Sequence, residues 1–220
     1  MIRMFVRLCL VVFVMTLFSG CTALNTIHYR KYYQEGLEAQ RKGEYEMAKK
    51  YFYRAWDNAK IGRLEPQLRA ESAYSLGRVY GILCDHKNAE LLLLEALKYD
   101  KESSGPVYMS LFELAYLKYD QDKYDEAVSY FQQAIQLVDD QKYIEYDPAT
   151  FVMHFSTYSK SLEKTGHNDE AKMFNNRAKV ISEKYTNERP KAQRTLYNKN
   201  CNKTNSLDSK PKQPNTQGDG

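Results

Sequence analysis

Histidine and cysteine are the residues of this chain that could do chemistry unaided, by holding a metal ion or activating a nucleophile. The four histidines fall in different segments, without ligand spacing to carboxylates or cysteines, at His28, His86, His154 and His167. No glycine-rich phosphate loop or nucleophile elbow occurs. Acidic pairs such as Asp125-Glu126 fit helix starts, where carboxylates interact favourably with the helix dipole. The sequence therefore predicts no catalytic site, no metal site, no cofactor and no small-molecule substrate, and we expect a protein that is not an enzyme.

The first 20 residues have the pattern of an export signal. Arg3 and Arg7 give a basic start, and an apolar run of 11 residues follows from Leu8 to Phe18. The run is shorter than the roughly 20 apolar residues that a membrane-spanning helix needs. We therefore expect residues 1–20 to be a cleaved signal peptide.

The residues Leu17 to Cys21 resemble the lipobox of bacterial lipoproteins, although that family prefers leucine where Phe18 stands. The resemblance implies that Cys21 carries a diacylglycerol and an amide-linked chain such as palmitate, which would anchor the protein on a membrane. Thr22 stands where aspartate would imply retention at the inner membrane. In a Gram-negative cell the resemblance thus implies the outer membrane, facing the periplasm, with residues 21–28 as anchor and linker. An ordinary secretory signal with a chance cysteine is the alternative.

A segment that occurs four times in the chain predicts its helices. Its copies begin at Gly43, Cys84, Asp122 and Gly166, and their first alanines recur after 41, 38 and 44 residues. Each copy has two alanines seven apart, on one helical face, so a neighbouring helix can approach closely. A small residue stands twelve positions before each first alanine, at Gly36, Gly77, Ala115 and Ser159. The spacing predicts helix pairs at 29–41 with 45–60, 66–83 with 86–99, 106–120 with 124–138, and 148–165 with 168–185.

This pattern of small, large, alanine, aromatic and alanine residues resembles the tetratricopeptide repeat (TPR). The second copy carries it at Leu76, Gly77, Tyr80, Ala89 and Ala96. The period of about 40 residues exceeds the commoner 34. The resemblance, to bacterial TPR lipoproteins, implies an all-α, TPR-like superhelical solenoid of about four helix-turn-helix repeats over residues 29–186. A generic helical bundle with chance alanines is the alternative.

If the first helix of each pair lines the concave face, as in TPR proteins, seven residues form a partner-binding groove. They are Tyr33, Leu37, Tyr74, Arg78, Phe112, Tyr116 and Tyr119. Aromatic side chains with one arginine suit a peptide bearing apolar anchors, because tyrosine and arginine are common at the energetic centres of interfaces. The alternative is that several of these tyrosines pack against the next repeat.

Residues 187–220 hold three prolines and few large apolar groups, so we expect a flexible, disordered basic tail. Its seven basic and three acidic residues account for the net charge of +4, which therefore does not indicate nucleic acid. Leu196 and Tyr197 form its one adjacent apolar pair and motivate the hypothesis that the tail fills the groove. Cys84 and Cys201 remain after the signal and the anchor, and their spacing permits a disulfide without requiring one.

These features together predict a lipid-anchored periplasmic scaffold that binds an envelope protein or peptide in its groove. In plan it is similar to repeat lipoproteins that assist pilus secretins, β-barrel assembly or peptidoglycan processing. One alternative is a structural envelope lipoprotein that self-associates through its tyrosine-rich faces. Another is a cell-wall enzyme built on a repeat scaffold, although no spare segment large enough for a catalytic domain remains.

Overall fold

The computed structural model describes residues 2–138, 141–185, 194–198 and 201, with side chains from residue 22 onward except that of Gln141. Helices make up nearly all of these residues, as the all-α prediction requires. The helices are α1 Ile2–Arg41, α2 Tyr45–Ile61, α3 Pro66–Ile82, α4 His86–Ser103, α5 Val107–Tyr119, α6 Tyr124–Val138, α7 Gln141–Tyr146, α8 Pro148–Lys164 and α9 Asn168–Tyr185. No helix in this part of the chain has a stretch both long and apolar enough to cross a membrane.

The helices pack as four antiparallel pairs, α1 with α2, α3 with α4, α5 with α6, and α8 with α9. Successive pairs contact each other through α2 and α3, α4 and α5, and α6 and α8. The predicted solenoid of four helix-turn-helix repeats is therefore confirmed. The short helix α7 was not predicted from the repeat pattern, and it packs on α8.

Two helix starts differ from the sequence prediction. Helix α1 extends back through the predicted linker at residues 21–28, so the described part of that segment is helical and continuous with the first repeat. Pro106 stands just before α5 as its N-cap, whereas Pro66 and Pro148 occupy the first turns of α3 and α8. A proline is tolerated in all three positions because the first amides of a helix have no partner within the helix.

The alanines that stand seven apart form the seam between paired helices, and all eight are at most 3% exposed. The small residue of the preceding helix faces the same seam. A Cβ at Gly36 would lie 2.6 Å from the ring of Phe52, so the ring packs directly on the backbone of α1. Asn175 takes the position of Phe52 in the fourth repeat and is exposed, because no described repeat packs on it.

Each pair is joined by a tight turn that requires one residue in the left-handed region. The φ angles there are 75° at Gly43, 69° at Cys84, 59° at Asp122 and 84° at Gly166. These are the first residues of the four sequence copies, which explains why glycine holds two of them. Cys84 adopts this conformation with a side chain, at a cost of roughly 1–2 kcal/mol.

Candidate functional site

The candidate site lies where residues 194–198 and Cys201, here called the tail segment, pack against the first helices of the second and third repeats. The ring of Tyr197 lies on the backbone of α3 at Gly81, where an added Cβ would come within 2.5 Å of the ring. Tyr197 is only 2% exposed. The predicted disordered tail therefore contains a docked segment, which is held by polar contacts and a covalent bond rather than by a long apolar run. The other residues of the predicted tail lie outside the described residues.

Arg194 forms a bidentate ion pair with Asp120, the C-cap of α5. Its two terminal guanidinium nitrogens each donate to one carboxylate oxygen of Asp120, both at 2.6 Å. The guanidinium also lies 4.4 Å from the ring centroid of Tyr116, in a cation–π arrangement. Burial acts to lower the pKa of Arg194, but the hydrogen bonds and charge of Asp120 raise it above its ordinary value. Arg194 is therefore charged when it binds.

The hydroxyl of Tyr197 reaches a polar cluster formed by Tyr74, Arg78 and Glu113. Tyr197 donates to one oxygen of the Glu113 carboxylate, and Tyr74 donates to the other at 3.2 Å. Arg78 Nε lies 3.1 Å from Glu113 in an ion pair without the angle of a hydrogen bond. Burial and the Glu113 charge raise the pKa of both tyrosines, so both hydroxyls keep their protons and act as donors.

The main chain of the tail segment is bound as well as its side chains. The Tyr197 amide donates to Asp120 Oδ2 at 2.8 Å, and its carbonyl accepts from His86 Nε2 at 3.1 Å. The side-chain amide of Asn198 donates to the Asp120 carbonyl at 3.0 Å. Specific contacts to both backbone and side chains show that this surface holds a polypeptide in a defined register.

A disulfide between Cys84 and Cys201 closes the tail segment onto the repeats. Cys84 occupies the left-handed position of the turn between α3 and α4. The pairing that the sequence left open is therefore present. The half-cystine at position 84 and the tyrosine site at Gly81 lie within three residues of each other.

Three of the seven predicted groove residues meet the tail segment or the cluster beneath it. Tyr74 and Arg78 belong to that cluster, and Tyr116 lies under the Arg194 guanidinium. Tyr116 is nevertheless 2% exposed, and its hydroxyl lies 2.6 Å from Nδ1 of His154. It is therefore both a wall of the site and part of the core between the third and fourth repeats.

The other four predicted residues mainly pack helix on helix. Phe112 is 2% exposed and stacks on the His154 ring at a centroid distance of 3.5 Å. Tyr33 shares a hydrogen bond of 3.1 Å with Ser75 across the first two repeats. Leu37 joins the apolar cluster of the first two repeats, and Tyr119 contacts Tyr124 edge to face. A role for them in partner binding stays a prediction.

Sequence reasoning missed several residues of the site: Gly81, His86, Glu113 and Asp120 on the repeats, and Arg194 and Asn198 in the tail segment. Asp120 is the C-cap of α5 and follows Glu113 by seven residues, or two helical turns, which places both on one face. That spacing of two carboxylates beside the predicted groove is the signal that would have found them. Gly81 follows Gly77 by one turn, and nothing in its immediate sequence distinguishes it as a site for a ring.

Other chemistry is scarce in the described part of the chain. No group of three or more histidine, cysteine or acidic side chains lies close enough there to hold a metal ion. The buried histidine, His154, packs against the rings of Phe112, Tyr116 and Phe151, and burial lowers its pKa to about 3. It is therefore a neutral packing residue at ordinary pH.

The fold and its bound segment define a TPR solenoid, a class typical of protein-binding scaffolds. Residues 19–143 match the family described as the SusR N-terminal TPR domain, and this chain belongs to that family. Arg78, Gly81, Glu113 and Asp120 lie inside the matched range, whereas the tail segment lies outside it. No curated protein matches the chain.

Solved structures of low sequence identity share this fold. BtubC (BKLC) from P. vanneervenii is 20% identical with a TM-score of 0.66, covering 76% of this chain and 68% of that one. A Podosopora anserina putative kinesin light chain with TPR-like repeats is 15% identical, with a TM-score of 0.58 and coverages of 72% and 76%. MamA is 15% identical, with a TM-score of 0.57 and coverages of 77% and 86%. These similarities show the fold alone.

Proposed function

We propose that this protein is a lipid-anchored periplasmic scaffold whose groove holds a protein of the cell envelope. The observation that carries the proposal is the bound tail segment, because it demonstrates a surface on α3 and α5 that grips a polypeptide by backbone and side chains. Protein binding is the usual work of the TPR class. The groove uses tyrosine and arginine side chains, which commonly dominate binding energy at interfaces.

Two features support the envelope location. Leu17 to Cys21 have the lipobox pattern, and Thr22 follows it as in lipoproteins sorted to an outer membrane. The Cys84–Cys201 disulfide also fits an exported protein, because disulfides persist in oxidising compartments and are rare in the cytosol. These features are independent, since one lies in the leader and the other joins a repeat turn to the tail.

Function would follow from tethering. An acylated Cys21 confines the groove to the membrane surface, which raises the effective concentration of the scaffold for a partner held at the same membrane. Secretins of pili, β-barrel assembly factors and peptidoglycan-processing proteins are partners of the kind that such tethering serves.

The anchor is tested by labelling cells with radioactive palmitate and fractionating their membranes. Wild type is expected to carry label and to sediment with the membrane, whereas Cys21→Ser is expected to lose both properties. A labelled Cys21→Ser protein, or an unlabelled wild type, would refute the lipid anchor.

The scaffold role is tested by crosslinking in cells followed by purification from the membrane fraction. A specific envelope partner is expected with the anchored protein and at reduced yield with Cys21→Ser, because the tether is lost. An identical yield from both forms would refute tethering. Mass measurement of the purified protein separates this role from self-association, which predicts oligomers in the absence of any partner.

A further inference from the structure

The tail segment is bound through Arg194 and Tyr197, whereas the two residues between them make little contact with the repeats. Leu196 is 42% exposed, and Thr195 makes a single hydroxyl contact, 3.4 Å from the Tyr45 hydroxyl. The surface that holds the tail segment is formed by Gly81, Glu113 and Asp120. We propose that this groove binds a segment of another protein that carries an arginine three residues before a tyrosine. In this structure Arg194 and Tyr197 of the same chain occupy it. This inference rests on the proposed function, because it names the chemistry of the partner that the scaffold holds.

The arginine site is specific for a guanidinium. The Asp120 side chain is 4% exposed, and both of its oxygens accept from Arg194 in a fork-to-fork pair that lysine cannot make. Among the described residues, every hydrogen bond to this carboxylate comes from the tail segment, through Arg194 and the Tyr197 amide. A buried carboxylate without a cation is unfavourable. The groove is therefore built to be filled by a segment that brings one.

The tyrosine site selects for both the ring and the hydroxyl. Gly81 lacks the Cβ that would meet the ring, so the flat face of the side chain rests on the α3 backbone. At the far end the hydroxyl donates to Glu113, which also interacts with Arg78 and Tyr74. Phenylalanine would fill the same space but would leave the partly buried Glu113 oxygen without this donor, and a hydrogen-bonding group left unpaired in this way costs free energy.

The spacing of the two residues is set by the main chain. Asp120 accepts from Arg194 and from the Tyr197 amide at once, so a single carboxylate fixes the distance between the arginine site and the tyrosine backbone. The Tyr197 carbonyl accepts from His86 on the other side. A segment with the arginine one residue nearer or farther cannot make all of these contacts together.

The disulfide keeps the cis segment in place. Cys201 follows Tyr197 by four residues and is joined to Cys84, in the turn that follows Gly81. A covalently held ligand has a high effective concentration at its site. We therefore expect a separate segment to compete poorly while the bond is intact. Serine at both cysteine positions removes the tether and leaves no unpaired thiol in the repeats or the tail.

The test uses the full chain with its own ligand removed. This open variant carries Cys84→Ser, Cys201→Ser, Arg194→Ala and Tyr197→Ala, and its folding is checked by circular dichroism. The probe is a fluorescein-labelled peptide with the sequence of residues 192–199, followed by fluorescence anisotropy. We expect the open variant to bind it and the disulfide-bonded wild type to bind at least tenfold more weakly. Peptides with lysine for the arginine or phenylalanine for the tyrosine are expected to lose at least tenfold in affinity.

Two further variants separate recognition from folding. Asp120→Asn in the open variant is expected to weaken peptide binding at least tenfold, whereas Asp125→Asn, the same change at an exposed position on α6, is expected to have no effect. Gly81→Ala is expected to abolish binding by blocking the ring, although alanine favours the helix and so does not unfold it. Equal binding of the parent, lysine and phenylalanine peptides would overturn the proposal, as would an open variant that folds but does not bind.

Other occupants give distinct results. If the chain with serine at positions 84 and 201 and an intact tail forms dimers that the peptide dissociates, the groove serves a second copy of this chain, and the assignment to a separate partner is wrong. If the open variant captures a defined envelope partner that excess peptide does not displace, recognition of arginine and tyrosine is wrong while the scaffold function stands. If neither peptide nor partner binds, both fail.

Discussion

Breaking the Cys84–Cys201 disulfide should lower the stability of the repeats far more than an ordinary surface substitution. The bond joins residues separated by 117 positions, so it closes a loop that contains the second helix of the second repeat and all of the third and fourth repeats. In the chain-entropy account a loop of this length removes about 16 cal/mol/K from the unfolded chain, or about 5 kcal/mol at 25 °C. This is an upper value, because the unfolded chain without the crosslink already retains some structure and so has less entropy to lose.

The perturbation is the paired change Cys84→Ser and Cys201→Ser. Serine keeps a side chain at the left-handed turn position, so the backbone strain at residue 84 cancels in the comparison. Urea unfolding followed by circular dichroism should show a loss of several kcal/mol. The dependence of the unfolding free energy on urea should also steepen, because the unfolded chain without its crosslink exposes more surface.

A reducing agent provides the matched control. It should destabilise the wild type to the level of the double serine variant and leave that variant unchanged. If the reductant does not move the unfolding midpoint of the wild type, the tail segment is not fixed to the repeats in solution and the reasoning fails.

Three further predictions concern the repeats. Lowering the pH from 7 to 5 should destabilise the protein by about 2 kcal/mol, because His154 in the unfolded chain takes up a proton near its ordinary pKa of about 6.5, while the folded residue, with a pKa of about 3, does not. The free energy of unfolding in urea should depend less on pH in His154→Gln. As a control, the exposed His167→Gln variant should keep the pH dependence of the wild type. Gly36→Ala should cost about 1–3 kcal/mol by overpacking Phe52, measured as a lower melting temperature, with no such effect from the exposed Gln34→Ala. Phe131→Ala should lower the free energy of unfolding by about 3–5 kcal/mol. Asn175 takes the same position in the last repeat but is exposed, so Asn175→Ala should change that free energy by less than about 0.5 kcal/mol. Similar losses at both positions would contradict the repeat alignment.

The repeat fold followed from sequence because its determinants are local and periodic. Two alanines seven apart and a small residue twelve positions earlier recur in each copy, and the alanines are buried where the paired helices pack. Helical period and close approach are short-range properties, so reading four copies in register was enough to place four helix pairs. The short α7 escaped because it belongs to no copy.

The candidate site could be predicted only in part from the sequence, because its residues are far apart in the chain. Sequence spacing drew attention to Tyr74, Arg78 and Tyr116 on the first helices, and it left both the disulfide and the docking of Tyr197 as open questions. Asp120 and its partner Arg194 are 74 positions apart, and no local period relates them. Only the stacking of the second and third repeats brings Gly81, Glu113 and Asp120 to one surface. Local pattern fixed the helices, and long-range packing decided which of their side chains form a site.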